Sequence, residues 1–339
     1  MFFMKKLLLI SQKYSLFTEP LRRTFTEFGW AVSFLDYWGT PILMPYTLRH
    51  RIAAKLPVRI KEKIIQRELM KVDNEILRTA RSLKPDLILV SKGKSISPAV
   101  LDELKQICVT ANWYSETMDH WERISRTAPH YTHFFSFDPV VVQRLNERGY
   151  ASAHYLPFCA DIPKNAQFPE GKVFRNNITF VGSFEKTRYA RRETLLSAVK
   201  DLGLSIWGNK AWRQTSLKEC YRRFVPREQL FDLYRESKVV LGMHVFGVAG
   251  SGTTNRPFDV TGAGAFLLNQ DERRDIFNLF RDGQEFISFH DEHDLRKKVE
   301  YYLAHDDERE TIARAGFERT RRDHTYLDRV QKVLHIIGL

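Results

Sequence analysis

Short runs of apolar residues alternate with amphipathic segments along nearly the whole chain. Runs that are almost entirely apolar predict buried strands, and segments with apolar residues three or four positions apart predict helices. Regular alternation of the two indicates an α/β fold whose parallel sheets are covered on both faces. The predicted strands are residues 7–10, 31–37, 86–91, 107–112, 133–137, 151–158, 178–183, 204–208, 239–243, 264–269 and 285–289.

Helices are predicted between these strands, and one break in the pattern divides them into two groups. Asp138 followed by Pro139 is typical of a helix start, and Gly149 of a helix end. Residues 159–176 contain two prolines, a glycine and no periodicity, so they predict a linker. We expect two doubly wound, Rossmann-like domains, 1–165 and 166–322, which face each other across a cleft where such folds bind ligands. The predicted helices are residues 58–83, 97–106, 138–148, 187–201, 227–236, 257–262, 292–304 and 307–337.

Composition narrows the class of protein further. The 339 residues are 43% hydrophobic, as in ordinary globular proteins. The apolar run Leu7–Ile10 is too short for a signal peptide, and no stretch is long enough for a transmembrane helix. Cys108, Cys159 and Cys220 are too widely spaced for a disulfide framework or a zinc site. We therefore expect a cytoplasmic protein, which disfavours an exported two-lobed binding protein.

The positive charge is concentrated rather than spread. The formal net charge is +12, and residues 1–85 and 172–227 carry most of the excess. Residues 49–71 are especially basic, with apolar residues on one helical face. Two interpretations stay open: a solvated helix face, or a surface for an anionic acceptor or for the inner face of an anionic membrane. Nucleic acid is disfavoured as a partner because no nucleic-acid-binding module is recognisable.

A glycine-rich loop, residues 247–256, precedes the predicted helix 257–262. Backbone N–H groups and the positive end of a helix dipole at such a loop suit an anion such as a diphosphate. Arg256 can add a bidentate phosphate contact, and Asp259, one turn later, can accept hydrogen bonds from ribose hydroxyls. A surface loop before a capped helix is the alternative. The spacing is not that of an ATP-hydrolysing phosphate loop.

A second candidate for diphosphate binding follows the strand 178–183. That strand ends in Gly182 and Ser183, and basic residues come directly after it. Glycine allows a close backbone approach, and cations could neutralise a departing diphosphate. The basic residues concerned are Lys186, Arg188, Arg191 and Arg192.

Candidate acid–base residues follow the strand 107–112 in the first half of the chain. Glu116, Asp119 and His120 are expected at the carboxyl end of the sheet, and histidine suits a general base. The alternative for His120 is an exposed loop histidine. Nearby aromatic residues could stack on an acceptor sugar or belong to the core; they are Trp113, Tyr114 and Trp121.

Other chemistries have little support in the sequence. No Asp-x-Asp motif occurs, and His130 and His133 lack a third ligand, so no metal site is predicted. No Gly-x-Ser-x-Gly follows a strand, as a serine hydrolase would require. The turn after the first strand contains no glycine, which argues against a dinucleotide oxidoreductase.

Several segments together resemble CgeB-like glycosyltransferases of the GT-B superfamily, and the resemblance covers most of residues 84–335. They are VGSFEKTRYARRETLL, IWGNKAW, FVPREQLFDLYRESKVVLGMH, TNRPFDVTGAGAFLLNQ, DGQEFISFHDEHDLRKKVEYYL and HTYLDRV in the second half, and HYTHFFSFDPVVVQRLNERGYASAHYLPFCAD before them. The resemblance implies donor binding by the second half. It places the donor ribose at Asp259, where the family usually has Glu, and the diphosphate at Arg188 or Arg192. It also implies that the base lies against Trp207–Gly208 and residues 224–226, and that a C-terminal helix, 323–339, packs back on the first domain.

The sequence as a whole predicts a metal-independent glycosyltransferase of the hexosyltransferase type, which needs no cofactor beyond its nucleoside-diphosphate sugar. The expected acceptor is a saccharide or another cell-envelope glycan, as in polysaccharide biosynthesis. Alternatives are a non-catalytic sugar- or polyanion-binding protein on the same fold and a DNA-modifying glucosyltransferase. The predicted donor site comprises Gly182, Ser183, Arg188, Arg192, Trp207, Gly208, Val225, Pro226, His244, Gly252, Thr253, Thr254, Asn255, Arg256 and Asp259.

Overall fold

The computed structural model describes residues 4–37, 58–244 and 252–339. It divides into two compact units: unit 1 is Met1–Leu156 with Val330–Leu339, and unit 2 is Pro157–Arg329. The boundaries expected from the sequence, after residues 165 and 322, both fall inside unit 2. Among the described residues, no helix is both long enough and apolar enough to cross a membrane.

Unit 1 contains a six-stranded parallel sheet in the order β2-β1-β3-β4-β5-β6. The interior strands are apolar on both faces, as the unbroken runs predicted; Leu7–Ile10 and Leu87–Val90 are all buried. The strands are β1 (Lys6–Ser11), β2 (Ala31–Asp36), β3 (Leu87–Ser91), β4 (Val109–Tyr114), β5 (His133–Ser136) and β6 (Ala153–Tyr155). The helices are α1 (Thr18–Glu27), α2 (Val58–Leu83), α3 (Pro98–Lys105), α4 (Trp121–Thr127) and α5 (Pro139–Glu147).

Unit 2 contains a five-stranded parallel sheet in the order β11-β10-β9-β7-β8. Its strands are β7 (Asn176–Val181), β8 (Leu204–Trp207), β9 (Ser237–Gly242), β10 (Leu267–Gln270) and β11 (Ile287–Phe289). The helices are α6 (Lys186–Ser197), α7 (Leu230–Arg235), α8 (Asn255–Gly262), α9 (Ile276–Leu279), α10 (Glu292–Ala304) and α11 (Asp306–Asp323), with α12 (Tyr326–Ile337) beginning in unit 2 and ending in unit 1.

The eleven predicted strands are confirmed, with shifts of a few residues at their ends. The predicted cap is also confirmed, because the Asp138 side chain accepts a hydrogen bond from the Val140 N–H. The prediction of one helix over 307–337 is wrong. His324 has a non-helical backbone, and the Asp328 carboxylate accepts from the N–H of Thr325, which satisfies a donor at the start of α12.

The order of the strands places a topological switch point in unit 2. From β7 the chain goes to its neighbour β8 on one side and then returns to β9 on the other side. At such a point the connections leave in opposite directions, which opens a crevice at the carboxyl ends of the two strands where doubly wound folds bind ligands. The carboxyl ends of β7 and β9 are therefore where a ligand site is expected.

Candidate functional site

Arg256 joins the two strands at the switch point of unit 2. Its Nη1 donates to the carbonyl oxygen of Met243 at 2.7 Å, and its Nη2 donates to that of Val181 at 2.8 Å. Because Arg256 is the second residue of α8, these bonds hold the N-terminus of that helix at the carboxyl edge of the sheet. The guanidinium of Arg256 thus links α8 to the ends of β7 and β9. The phosphate contact expected from the sequence stays a prediction.

Two predicted glycines bring the ends of β7 and β8 into direct backbone contact. A Cβ atom on Gly208 would lie 2.1 Å from the carbonyl oxygen of Gly182, so no side chain fits there. The Gly182 N–H donates to the Trp207 carbonyl at 2.8 Å, and the Gly182 carbonyl accepts from Trp212 Nε1 at 2.8 Å. The requirement for glycine at position 208 is therefore a matter of backbone spacing.

Arg192 is built into the same edge of the sheet. It is buried, its Nη1 donates to the carbonyl of the exposed Ser183 at 2.9 Å, and its guanidinium lies 4.1 Å from the centre of the Tyr189 ring. The side chain of Arg188 lies outside the described residues, and Arg191 is exposed. Arg192, one of the two arginines that the resemblance assigned to the diphosphate, therefore lies at the end of β7.

His244 lies just beyond β9 and is almost fully buried. Its Nε2 is 3.3 Å from Asn269 Nδ2, which also donates to the Gln270 carbonyl at 2.8 Å. Because this amide nitrogen is a donor, His244 Nε2 accepts and the ring proton resides on Nδ1. The result is a neutral histidine with an N–H group that has no partner among the described residues.

The charges of three arginines act on His244. Burial is the main reason why its pKa lies well below the usual value, and the charges of Arg256, Arg273 and Arg192 lower it further. Because His244 is neutral, it does not offset the positive charges of these arginines. An anion is the ligand that such a group of cations and N–H donors would attract.

Buried polar atoms without a hydrogen-bond partner in the described ranges are concentrated in this part of unit 2. Native interiors satisfy nearly all such atoms, so a group of exceptions indicates a place where a ligand or water supplies the partners. The site residues that contribute one are Trp207 (Nε1), His244 (Nδ1), Thr253 (Oγ1), Thr254 (Oγ1), Asp259 (Oδ1) and Asn269 (Oδ1).

Asp259, on α8, supplies the acidic group. It is buried, its Oδ2 accepts from Asn255 Nδ2 at 2.8 Å, and Arg227 Nη1 lies 3.8 Å from the same oxygen. Burial raises its pKa from 3.8 to about 6, although Arg227 and Asn255 favour the charged form. The other oxygen, Oδ1, has no partner among the described residues and can accept hydrogen bonds from vicinal hydroxyls.

We expect Asp259→Asn to stabilise the protein above pH 6 by about 1–3 kcal/mol while weakening nucleotide binding. The folded pKa of about 6 lies above the ordinary 3.8, so ionisation penalises the folded state fully above pH 6. This penalty decreases as the pH falls from 6 to 3.8 and is absent below 3.8, where the carboxyl is protonated in both states. Urea unfolding of parent and variant at pH 8 and pH 4 measures it. A variant that is less stable at pH 8 would contradict the assignment.

A cavity of about 360 Å³ is lined partly by the two turns to which the nucleotide base was assigned and partly by Arg175, Asn176 and Glu236, at the amino ends of β7 and β9. Trp207 and Val225 both line it, and Arg223 lies over the Trp207 ring at 5.7 Å. Arg223 is held in turn by Gln229, whose Oε1 accepts from its Nη2 at 3.3 Å. The structure therefore brings together an indole, an apolar side chain and polar groups, a set that could stack on a base and hydrogen-bond its edge.

Two of the predicted acid–base residues meet in unit 1, at the carboxyl ends of β3 and β4. Glu116 Oε2 lies 3.2 Å from His120 Nε2, and Glu116 Oε1 ion-pairs with Lys94 at 2.8 Å and with Lys92. Burial opposes ionisation of Glu116, but hydrogen bonds from the two lysines outweigh it and lower its pKa. Asp119 is exposed and, in the ranges described, bonds to neither Glu116 nor His120.

These contacts suggest different roles for the candidate residues of this segment, and their catalytic roles stay predictions. A carboxylate with a lowered pKa and two lysine partners is a poor base, so Glu116 is better suited to orienting His120. His120 keeps 37% of its side chain exposed and can reach a ligand. Trp113 and Tyr114 are core residues, as the alternative interpretation held, and Trp121 packs beneath Arg144 and Arg148.

Some predicted residues lie outside the described part of the chain. These are Gly247, Gly250 and the segment 49–57, so the basic segment 49–71 is described only where α2 begins. Gly252 and Thr253 are buried, and the Thr253 N–H donates to Asp275 Oδ2 at 3.2 Å. Pro226 is half-buried and directly precedes Arg227, the cation beside Asp259.

Sequence reasoning missed several residues that the fold brings into these sites. Lys92 and Lys94 follow β3 in sequence, and that position after a strand was the available signal. Asn269 lies within β10 and Arg273 shortly after its carboxyl end, where position after a strand was again the available signal. Arg223 and Arg227 flank the turn 224–226 and carried no periodic signal.

The chain is similar to known proteins over much of its length. Residues 191–335 match a family model described as glycosyl transferase-like. Over 313 residues the chain is 19% identical to the spore protein CgeB of Bacillus subtilis, covering 86% of this chain and 90% of CgeB.

Solved structures match over nearly the full length. Sucrose-phosphate synthase from Thermosynechococcus elongatus has a TM-score of 0.66 at 12% identity, covering 98% of each chain. Anabaena HepE in complex with UDP-glucose has a TM-score of 0.64 at 10% identity, covering 98% of this chain and 99% of HepE. The resemblance found in the sequence is confirmed: this chain is CgeB-like and has the GT-B glycosyltransferase fold.

Proposed function

We propose that this chain is a glycosyltransferase that moves a sugar from a nucleoside-diphosphate sugar to a hydroxyl of a saccharide or another cell-envelope glycan. The observation that carries the proposal is the group of buried polar atoms without partners in the described ranges, beside the N-terminus of α8. Similarity to HepE, solved with UDP-glucose, supports a nucleotide sugar as the donor.

Each part of the donor has a counterpart in unit 2. The ribose hydroxyls would donate to Asp259 Oδ1, and the base would lie against Trp207 and Val225. The diphosphate would meet the His244 Nδ1–H, the N-terminus of α8 and the arginines around them. Arg192 is the arginine we assign to it, since Arg256 already holds two backbone carbonyls.

The chemistry requires stabilisation of a growing negative charge. The bond between the sugar C1 and the diphosphate oxygen breaks, and a bond forms between C1 and the acceptor oxygen. Fixed N–H donors and cations around the diphosphate stabilise the leaving group, so we propose that no metal ion is required. In unit 1, His120 would take the proton of the acceptor hydroxyl, with Glu116 orienting the ring.

A thermal-shift panel of UDP, GDP, dTDP, CDP and ADP, with EDTA present, tests the donor site. One nucleotide is expected to raise the Tm, because a ligand at 100 times its Kd stabilises the folded state by about 2.7 kcal/mol. Asp259→Ala should abolish the shift, whereas the exposed Asp307→Ala, also on a unit 2 helix, should keep it. Sugar nucleotides of the responding base are then incubated with candidate acceptors, and nucleotide release is measured.

Each other outcome has a defined meaning. No shift with nucleotides or sugar nucleotides, with or without magnesium, would contradict the proposed donor site. A shift that requires magnesium would contradict metal independence alone. Binding of sugar nucleotide and glycan without nucleotide release would favour a non-catalytic sugar- or polyanion-binding protein. Steeply salt-dependent binding of duplex DNA would favour a DNA-modifying glucosyltransferase instead.

Contact with an anionic membrane through residues 49–71 stays a prediction. Lys63, Arg67 and Lys71 lie on the described part of this segment, where α2 begins. Sedimentation with vesicles of anionic and of neutral lipid, at two salt concentrations, would test it.

A further inference from the structure

The loop after β3 in unit 1 holds two lysines in a rigid arrangement. Lys92 has φ +69° and Gly93 has φ +70°, so a residue with a bulky side chain adopts a left-handed backbone. Backbone conformations of this kind cost free energy and persist where the surroundings impose them, often at functional sites. The strain at Lys92 is therefore a reason to ask what its position achieves.

The surroundings of the loop impose this conformation. The Lys92 N–H donates to the Trp113 carbonyl at 3.1 Å, and the Lys92 carbonyl accepts from Asn112 Nδ2 at 3.4 Å. The Gly93 N–H donates to Tyr37 Oη at 3.2 Å. Three hydrogen bonds, with Asn112 and Trp113 of β4 and with Tyr37, thus fix this loop. The side chains of the two lysines on either side of Gly93 pair with the same carboxylate.

In the described part of the chain, this cluster contains two lysines and one carboxylate. Lys92 and Lys94 both pair with Glu116 Oε1, while His120 contacts Oε2. Two ammonium groups therefore share one carboxylate, and each retains N–H donors beyond that contact. The lysine side chains are only 29% and 23% exposed, so water solvates them incompletely. A half-buried excess of positive charge next to a candidate base favours a negatively charged ligand.

We propose that Lys92 and Lys94 bind an anionic group, phosphate or carboxylate, on the acceptor sugar. The proposal rests on the proposed function and names the class of acceptor. Because the lysines and His120 contact the two oxygens of one carboxylate, an anion on the lysines would place the rest of the sugar beside His120. Glu116 would then position both the lysines that bind the anionic group and the histidine that removes the proton.

Binding measurements on the full chain test this without any need for turnover. Glucose 6-phosphate, glucuronate and glucose are titrated by calorimetry in the presence of saturating UDP, which fills the diphosphate site of unit 2. We expect one of the two anionic sugars to bind at least tenfold more tightly than glucose. The two anions distinguish a phosphate from a carboxylate as the recognised group.

Two variants locate the site. Lys94→Gln should weaken binding of the anionic sugar about tenfold and leave the Kd of UDP unchanged. Lys92→Gly should have a similar effect on the sugar with a Tm at or above that of the parent, because glycine suits the left-handed backbone. Lys105→Gln, on α3 of the same unit, is the matched control and should change neither constant.

Equal affinity for glucose and both anions, or unchanged binding of the anionic sugar by both lysine variants, would overturn the inference. Failure of UDP to bind is a separate result that would exclude UDP as the donor nucleotide, and only failure of every nucleotide in the panel would contradict the proposed function. In that case the lysine variants are compared without UDP, and the effect of each on the anionic sugar still tests the site in unit 1.

Discussion

His120→Ala is expected to lower kcat by roughly 100- to 10,000-fold while the Kd of the nucleotide stays unchanged. His120 has the accessible imidazole at the carboxyl end of the unit 1 sheet, and Glu116 holds its Nε2 at 3.2 Å. Removal of the imidazole leaves the acceptor proton without a base, whereas the predicted donor contacts all belong to unit 2. Nucleotide release in the presence of the acceptor measures kcat, and calorimetry measures the Kd.

His130→Ala provides the matched control for this prediction. His130 is also in unit 1 and also pairs with a carboxylate, since its Nδ1 lies 2.8 Å from Asp102 Oδ1. Its loss should leave kcat within a factor of about three. Added imidazole should restore part of the activity of His120→Ala and none to an inactive Asp259→Ala. If His120→Ala and His130→Ala have the same kcat as the parent, another group removes the proton.

Arg256→Met should destabilise unit 2 by roughly 2–6 kcal/mol and abolish nucleotide binding. The variant leaves the carbonyls of Val181 and Met243 without the donors that now lie 2.8 and 2.7 Å away. A buried acceptor without a partner costs about 1–3 kcal/mol, and two are created. The N-terminus of α8 also loses its link to the strands, so the proposed diphosphate site is disturbed. Denaturant unfolding and UDP titration measure the two effects.

Arg256→Lys separates the charge of this residue from its geometry. Lysine keeps the positive charge but cannot match the planar fork that reaches two carbonyls. We expect it to recover little of the lost stability. The exposed Arg213→Gln, also in unit 2, controls for the loss of one positive charge and should behave as the parent. Full stability of Arg256→Lys would mean that charge alone matters at this position.

The strands were predictable because nearly all of them are apolar on both faces. Runs such as Leu87–Val90 and Val239–Leu241 leave no polar face, and this is the requirement of a covered parallel sheet. The break between α11 and α12 was not predictable from periodicity. At this break Thr325 forms a β-bridge with Ala160, a residue distant in sequence. The Asp328 carboxylate also caps the start of α12, and neither contact produces a periodic pattern.

The candidate sites were predictable where the residues follow one strand, and less so where several strands contribute. The sequence indicated the segment around Asp259 as a candidate site because the glycine-rich loop, the start of the helix and the acidic residue are contiguous. Arg256 was recognised as a cation, but its two carbonyl partners lie on different strands, so its bracing could not be read from sequence. In the same way, Lys92 and Lys94 meet Glu116 only because β3 and β4 are neighbours.

The two units differ in how many segments of the chain form them, which affects when each can fold during synthesis. Unit 2 is one continuous segment, Pro157–Arg329, inserted between two pieces of unit 1. Arg329 Nε donates to the Pro157 carbonyl at 2.8 Å, so the two ends of the insertion lie side by side. Val330, Val333 and Leu334 are buried residues of unit 1, and a ribosome adds them only after all of unit 2 has been made. During synthesis unit 2 can therefore fold first, whereas unit 1 can fold completely only after its last helical residues have been added.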